Sequence, residues 1–193
     1  MPICGQIPTD ETSEWAALHN AAADPAIDAA LQSLYADTDA AIAERGPTCW
    51  QSGKCCNFVD FGHLLYVTAL EACWFTHHAP PPPQTKPLSP TELPQFFASQ
   101  QPACPYQVNK ACTTHTIRPL GCRIFFCQRG TEDWQQDLYE SFQQRLRTLH
   151  DAHALPYRYL EWRAALDLAR SLRETATASP LTPRRTTSGP DRP

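Results

Sequence analysis

"CWQSGKCCNF", residues 49–58, places Cys49, Cys55 and Cys56 within a single short loop, two of them adjacent. Sulfur at that density serves a disulfide, a nucleophile or a metal. Working outward, Cys73 follows alone, then Cys104, Cys112, Cys122 and Cys127, and with Cys4 the chain holds 9 cysteines. An odd count leaves at least one thiol unpaired. Disulfide frameworks belong mainly to short secreted chains, whereas this one has 193 residues. Its opening "MPICGQIPTDETSEW" carries no Lys or Arg and no apolar core, so it does not read as a secretory signal. Nor does any stretch approach the roughly eighteen apolar residues that span a bilayer. The expectation is a cytoplasmic protein with no membrane partner, where ordinary thiols stay reduced.

Composition narrows the class further. Hydrophobic residues at 42% and charged ones at 19% suit one globular domain, and 19 prolines against 7 glycines mark long irregular stretches. A net charge of -4 offers no general attraction to polyanions, so nucleic acid is not an expected partner.

Periodicity divides the chain into four parts. Residues 1–45 read as a helical segment, with two helices between Thr12 and Arg45 broken at Asp24 and Pro25. Ile27, Leu31, Leu34, Ala41 and Ile42 keep a helical period there, and Gly46 with Pro47 supplies the stop. Residues 46–130 form the cysteine region. Inside it, Thr68 and Glu71 make a capping box that opens a helix through His78, with Cys73 among Leu70, Trp74 and Phe75 as a small core residue. Pro80 to Pro83 favour a polyproline connector. Ser89, Pro90 and Glu92 open a second short helix to Ser99. From Gln101 to Gly130 the spacing predicts irregular loops with short strands around "CRIFFC".

Residues 131–175 are expected to form a C-terminal helical hairpin of the same domain. Trp134, Leu138, Phe142, Leu146 and Leu149 lie on one face of its first helix. After Pro156, Leu160, Ala164, Leu168 and Leu172 mark a second helix from Tyr157 to Glu174. Residues 176–193 hold too little apolar mass to order and read as a tail. The fold class that follows is mainly α: a small irregular cysteine-rich metal-binding core with short strands, packed by N-terminal helices and the hairpin.

Seven thiols are candidate metal ligands: Cys49, Cys55 and Cys56 in one cluster, Cys104, Cys112, Cys122 and Cys127 in the other. Converging soft thiolates hold zinc, copper(I) or iron–sulfur centres. His115, Arg118 and Arg123 would offset the charge of such a site. Gly53 and Gly121 would let backbone approach the ligand sulfurs, and Pro105 and Pro119 would stiffen the loops. No C-x2-C pair occurs, which argues against a zinc ribbon, a RING or a bacterial ferredoxin run. A cysteine nucleophile would need a base, for which His63 and His115 are candidates, but that chemistry does not call for seven thiols.

"CWQSGKCC" followed by "CPYQVNKACTTHTIRPLGCRIFFC" resembles the YkgJ-type cysteine-cluster family, described as zinc- or iron-chelating domains. The resemblance runs from Cys49 to Cys127 and includes Thr68, Glu71, Cys104 with Pro105, Cys112, Arg118 with Pro119, Cys122 with Arg123, Phe125 and Cys127. It departs at Ser52, where the family often has another cysteine, and at His115, commonly a tyrosine. The resemblance implies chelation of iron, as an iron–sulfur cluster or an ion, or of zinc. Flagellin lysine methylases look similar in the cysteine region, which brings in a redox or methyl-transferring enzyme as an alternative, although no glycine-rich nucleotide loop accompanies it. A metal-stapled module whose hairpin, proline tract or tail binds a protein partner is the other alternative.

Overall fold

Asp24 ends one helix and starts the next. Its carboxylate accepts a hydrogen bond from the Ala26 amide at 2.7 Å, and Pro25, with no amide hydrogen to lose, fits the first turn. The computed structural model, which describes residues 9–49, 52–58, 62–83 and 103–178, thus begins with α1 (Thr9–Ala21) and α2 (Pro25–Arg45). Ile27, Leu31, Leu34, Tyr35, Thr38 and Ile42 are the buried stripe of α2. Gly46 closes it at φ 60, returning its amide to the carbonyls of Ile42 and Ala43.

The expected capping box is formed. The Glu71 carboxylate accepts from the Thr68 amide at 2.9 Å, while the Thr68 hydroxyl accepts from the Glu71 amide at 3.2 Å. It opens α3 (Ala69–His78), whose residues Ala69 to Thr76 are all buried. A helix covered all round is a central one. Strand β1 (Tyr66–Thr68) leads into it, and a two-residue turn joins β2 (Gln107–Val108) to β3 (Ala111–Cys112). Asn109 and Lys110 take positive φ at that turn, the backbone that matches antiparallel strand twist.

The strands expected around "CRIFFC" are instead α4 (Leu120–Ile124). Buried Glu71 explains the difference: its second carboxylate oxygen accepts the Leu120 amide at 2.8 Å, satisfying a helix-start donor that a strand would present elsewhere.

The C-terminal half is mainly helical but is not the expected hairpin. α5 (Glu132–Ala152) packs on α2 and α4, whereas α6 (Trp162–Ala178) packs on α3 and α1. Between them β4 (Tyr159–Glu161) pairs antiparallel with β1, Val67 facing Leu160. The second helix therefore starts five residues later than the periodicity placed it, because Tyr159–Glu161 finds backbone partners in β1. That helix also continues to Ala178, past the start of the expected tail.

One core joins these elements. Trp15, Leu18, Leu31, Leu70, Phe75, Leu146, Trp162 and Leu166 are buried in it, and Phe75 stands edge-on to both Tyr106 and Trp162. The class is mainly α with two small antiparallel sheets. Cys4, the helix expected at 89–99 and residues 179–193 lie outside the described residues. No helix among the described residues is long and apolar enough to cross a membrane.

Candidate metal centre

Two backbone contacts carry the first cysteine loop onto the second. The Gly53 carbonyl accepts the Gln107 side-chain amide at 2.7 Å, and the Cys104 amide donates to the Cys56 carbonyl at 2.7 Å. Gly53 is specific to this meeting. It has φ +74, and a Cβ there would lie 2.7 Å from Gln107 Nε2 and 2.9 Å from Lys110 Cβ. Only glycine combines the left-handed backbone with so close an approach to β2 and β3.

The consequence is a single cavity of about 400 Å³ into which Cys49, Cys55, Cys56, Cys104, Cys112, Cys122 and Cys127 all face. Every candidate ligand is brought to it. Cys55 and Cys56, in a short 3₁₀ turn, hold their sulfurs 3.8 Å apart. Cys56 also hydrogen-bonds Cys112, whose sulfur lies 3.5 Å from Thr114 Oγ1. Ser52 Oγ stands 3.5 Å from Cys127 Sγ. Among the described residues, however, no three His, Cys, Asp or Glu side chains are close enough to share one ion. Ligation of a metal in this cavity requires the thiols to close on it by rotation about their side-chain bonds.

Ionisation divides the thiols. Hydrogen bonding from Cys56 lowers Cys112 to about 5 and Cys55 to about 7, with the Arg118 guanidinium assisting both. Cys56, the shared partner in those contacts, is pushed far up. Burial raises Cys104 to about 11, partly countered by the Trp162 indole N–H that donates to its sulfur at 3.4 Å. Burial also lifts Cys122 well above the ordinary thiol range, and the neighbouring charges of Cys104, Cys112 and Cys55 add to it. These five thiols interact with one another. Cationic Arg118 and Lys110 and the apolar rings of Phe75, Phe126 and Trp162 complete the walls.

The segment bearing Cys122 is pinned from behind. Arg123, buried, donates to the Arg118 carbonyl and the Thr116 carbonyl at 2.7 Å each and to Asp39 Oδ2 at 2.6 Å, while its guanidinium covers the Tyr35 ring at 4.4 Å. The Tyr35 hydroxyl in turn donates to Glu71. Glu71 and Arg123 thereby fix the loop from Thr116 to Leu120. Sequence spacing marked Arg123 only as a cation near thiols; its carbonyl partners have no sequence signature. Trp162 had no signal at all, being 58 residues from the sulfur it meets.

The remaining candidates separate clearly. His115 lines the cavity, and burial together with Arg118 depresses its pKa, favouring the neutral ring. His63 is not in the lining; its Nε2 lies 3.4 Å from the Cys55 carbonyl and its ring is edge-on to Phe58. Cys73 is fully buried in the core, its thiol pushed up to about 12, as its helical company indicated. No protein-family model, curated protein or solved structure matches the chain.

Proposed function

We propose that this protein binds a metal centre through thiolates of the common cavity, and that it belongs with the YkgJ-type cysteine-cluster proteins its motif resembles. The observation that carries the reading is the convergence of all seven candidate thiols on one space, although they come from loops some fifty residues apart. Thiols that share a cavity with guanidinium and ammonium groups are suited to ligation, because the cations offset thiolate charge. The inner ligands are Cys55, Cys56, Cys104, Cys112 and Cys122.

Iron held as an iron–sulfur cluster is the first reading. A cavity of about 400 Å³ whose thiols are spread around its wall accommodates an inorganic core that keeps its cysteines apart. Zinc is the second, and one distance favours it: a tetrahedral site with zinc–sulfur bonds of about 2.3 Å has sulfurs about 3.8 Å apart. Cys55 and Cys56 already stand at 3.8 Å. Cytoplasmic residence, which keeps the thiols reduced, is part of the same proposal.

Anaerobic purification followed by iron, zinc and acid-labile sulfide analysis tests it. Brown protein with iron and sulfide supports a cluster; colourless protein with stoichiometric zinc supports the second reading. A metal-free chain that gains neither metal on reconstitution sinks both.

A further inference from the structure

Where α1 packs on α3 and α6, the groups that meet are basic, and none of them lines the thiol cavity. His19, in the last turn of α1, lies against His77, in the last turn of α3, with ring centroids 4.7 Å apart and planes 32° from parallel. Both residues are half-buried. The His77 Nε2–H donates to the His19 carbonyl at 3.2 Å, whereas His19 Nδ1 is enclosed and has no hydrogen-bond partner among the described residues. Arg173 of α6 donates to the Thr76 carbonyl, one residue before His77, and its charge acts on both rings. His78 also acts on His77, but its own ring turns to Asp28 of α2 at 3.1 Å. Asp28 accepts from the Trp74 indole at 2.7 Å and the Gln32 amide at 2.9 Å as well, so that carboxylate is committed to other contacts.

We propose that His19 and His77 are an acid-operated latch: neutral, the paired rings seat the end of α1 on α3 and α6; protonated, they and Arg173 are three like charges that part α1 from both. A neutral imidazole leaves Nδ1 of His19 as an acceptor lacking a donor. A proton added there becomes a buried N–H with nothing to accept it, on a cation set against His77 and Arg173. Burial, then His77 and Arg173, lower the pKa of His19. Burial lowers that of His77; the bond to the His19 carbonyl partly restores it, and Arg173 and His78 lower it further. Folded values below the ordinary histidine value of about 6.5 mean that both contributions are full above that pH and are lost as acid carries it toward the folded values. The first turns of α1 stay tied, since Arg158 pairs with Glu11 at 3.6 Å and with Glu14. Opening therefore starts at the end that joins α2 and uncovers Leu18 and Ala22, both buried while the latch is closed. The device is independent of what the thiol cavity holds.

Hydrogen exchange of the full-length chain, read by mass spectrometry between pH 7.5 and 5.5 and corrected for the intrinsic effect of pH, tests the latch. Each proton taken up on opening shifts the equilibrium by up to about tenfold per pH unit below about 6.5. Residues 9–21 should lose at least roughly tenfold in protection over this range, and at pH 5.5 they should be at least roughly tenfold less protected than residues 25–45, because α1 opens without α2. His77→Gln, which keeps a donor for the His19 carbonyl, should about halve the logarithmic slope for residues 9–21, since one of two protons remains. The double variant His19→Gln, His77→Gln should abolish the slope, and His150→Gln, altered in α5, should leave it as in wild type. Equal protection of the two helices at pH 5.5 would mean that α1 leaves only when the whole chain unfolds, which overturns the latch. Constant protection of residues 9–21 in wild type overturns it too, as does a slope that survives the double variant. The wild-type comparison of the two helices decides the matter even where a variant does not fold.

Discussion

Replacing Gly53 by alanine tests whether the two cysteine loops work as one site. The new methyl would sit 2.7 Å from Gln107 Nε2, 2.9 Å from Lys110 Cβ and 3.0 Å from Lys110 Cα, with φ held at +74. Left-handed backbone costs a non-glycine residue about 1 kcal/mol. Forcing a methyl into filled space adds roughly 1–3 kcal/mol. Backbone of the β2–β3 turn is among the atoms met, so the strain is not relieved by one flexible side-chain tip. The chain relaxes most cheaply by lifting the Cys49–Cys56 loop off the turn, and metal must then pull it back. About 2 kcal/mol transferred to binding in this way weakens affinity by about 30-fold, since about 1.4 kcal/mol is one decade. Gly46→Ala is the matched control, with φ +60 but nothing within 4 Å of the added methyl. Competition against a chromophoric chelator measures affinity, and urea unfolding measures stability. Gly53→Ala should lose both; Gly46→Ala should lose only about 1 kcal/mol of stability. Equal metal affinity in the two variants would refute the interlocked site.

Three further outcomes follow from particular contacts. Glu71→Gln leaves one carbonyl oxygen to accept from Thr68, Tyr35 and Leu120, so urea unfolding should show a loss of about 2–3 kcal/mol; a change under about 0.5 would contradict the network. Burial lowers the pKa of His150, whose Nδ1 lies 3.0 Å from the Pro156 carbonyl and whose Nε2 has no hydrogen-bond partner among the described residues. Because the unfolded ring protonates near the ordinary histidine value of about 6.5, stability should be full above that pH and fall as acid carries it toward the lower folded pKa. Unfolding at pH 7.5 and 5.5 measures the slope, and His150→Gln should flatten it; an unchanged slope would exclude His150 as its source. Trp162→Phe keeps a ring edge-on to Phe75 but removes the donor to Cys104. In iron-loaded protein the midpoint potential should fall, since hydrogen bonds to ligand sulfur raise it. An unmoved potential would place Cys104 outside the ligand set.

Much of this architecture is readable along the chain where its cause is local. The break at Asp24 and Pro25, the stop at Gly46 and the box from Thr68 to Glu71 are each made by residues within a few positions of one another. What escaped is made across distance. Ile124, Phe125 and Phe126 suggest strand by propensity, but a buried carboxylate from α3 fixes Leu120 as a helix start. Leu160 fits a helical stripe, yet β1 captures its backbone from more than ninety residues away. The site divides in the same way. Thiol clustering identified the seven cysteines that line the cavity, whereas the pinning of the 116–120 loop by Arg123 and the Trp162 donor depend on tertiary contacts.

In the proposed centre, thiols from both cysteine segments hold the same metal. Metal per chain, measured on anaerobically loaded wild type, Cys56→Ser and Cys122→Ser, tests it most directly. Either variant, though altered in a different segment, should lose or destabilise the same whole complement of metal. Two variants that each lose a separate fraction, with the remainder retained in full, would show two independent sites and contradict it.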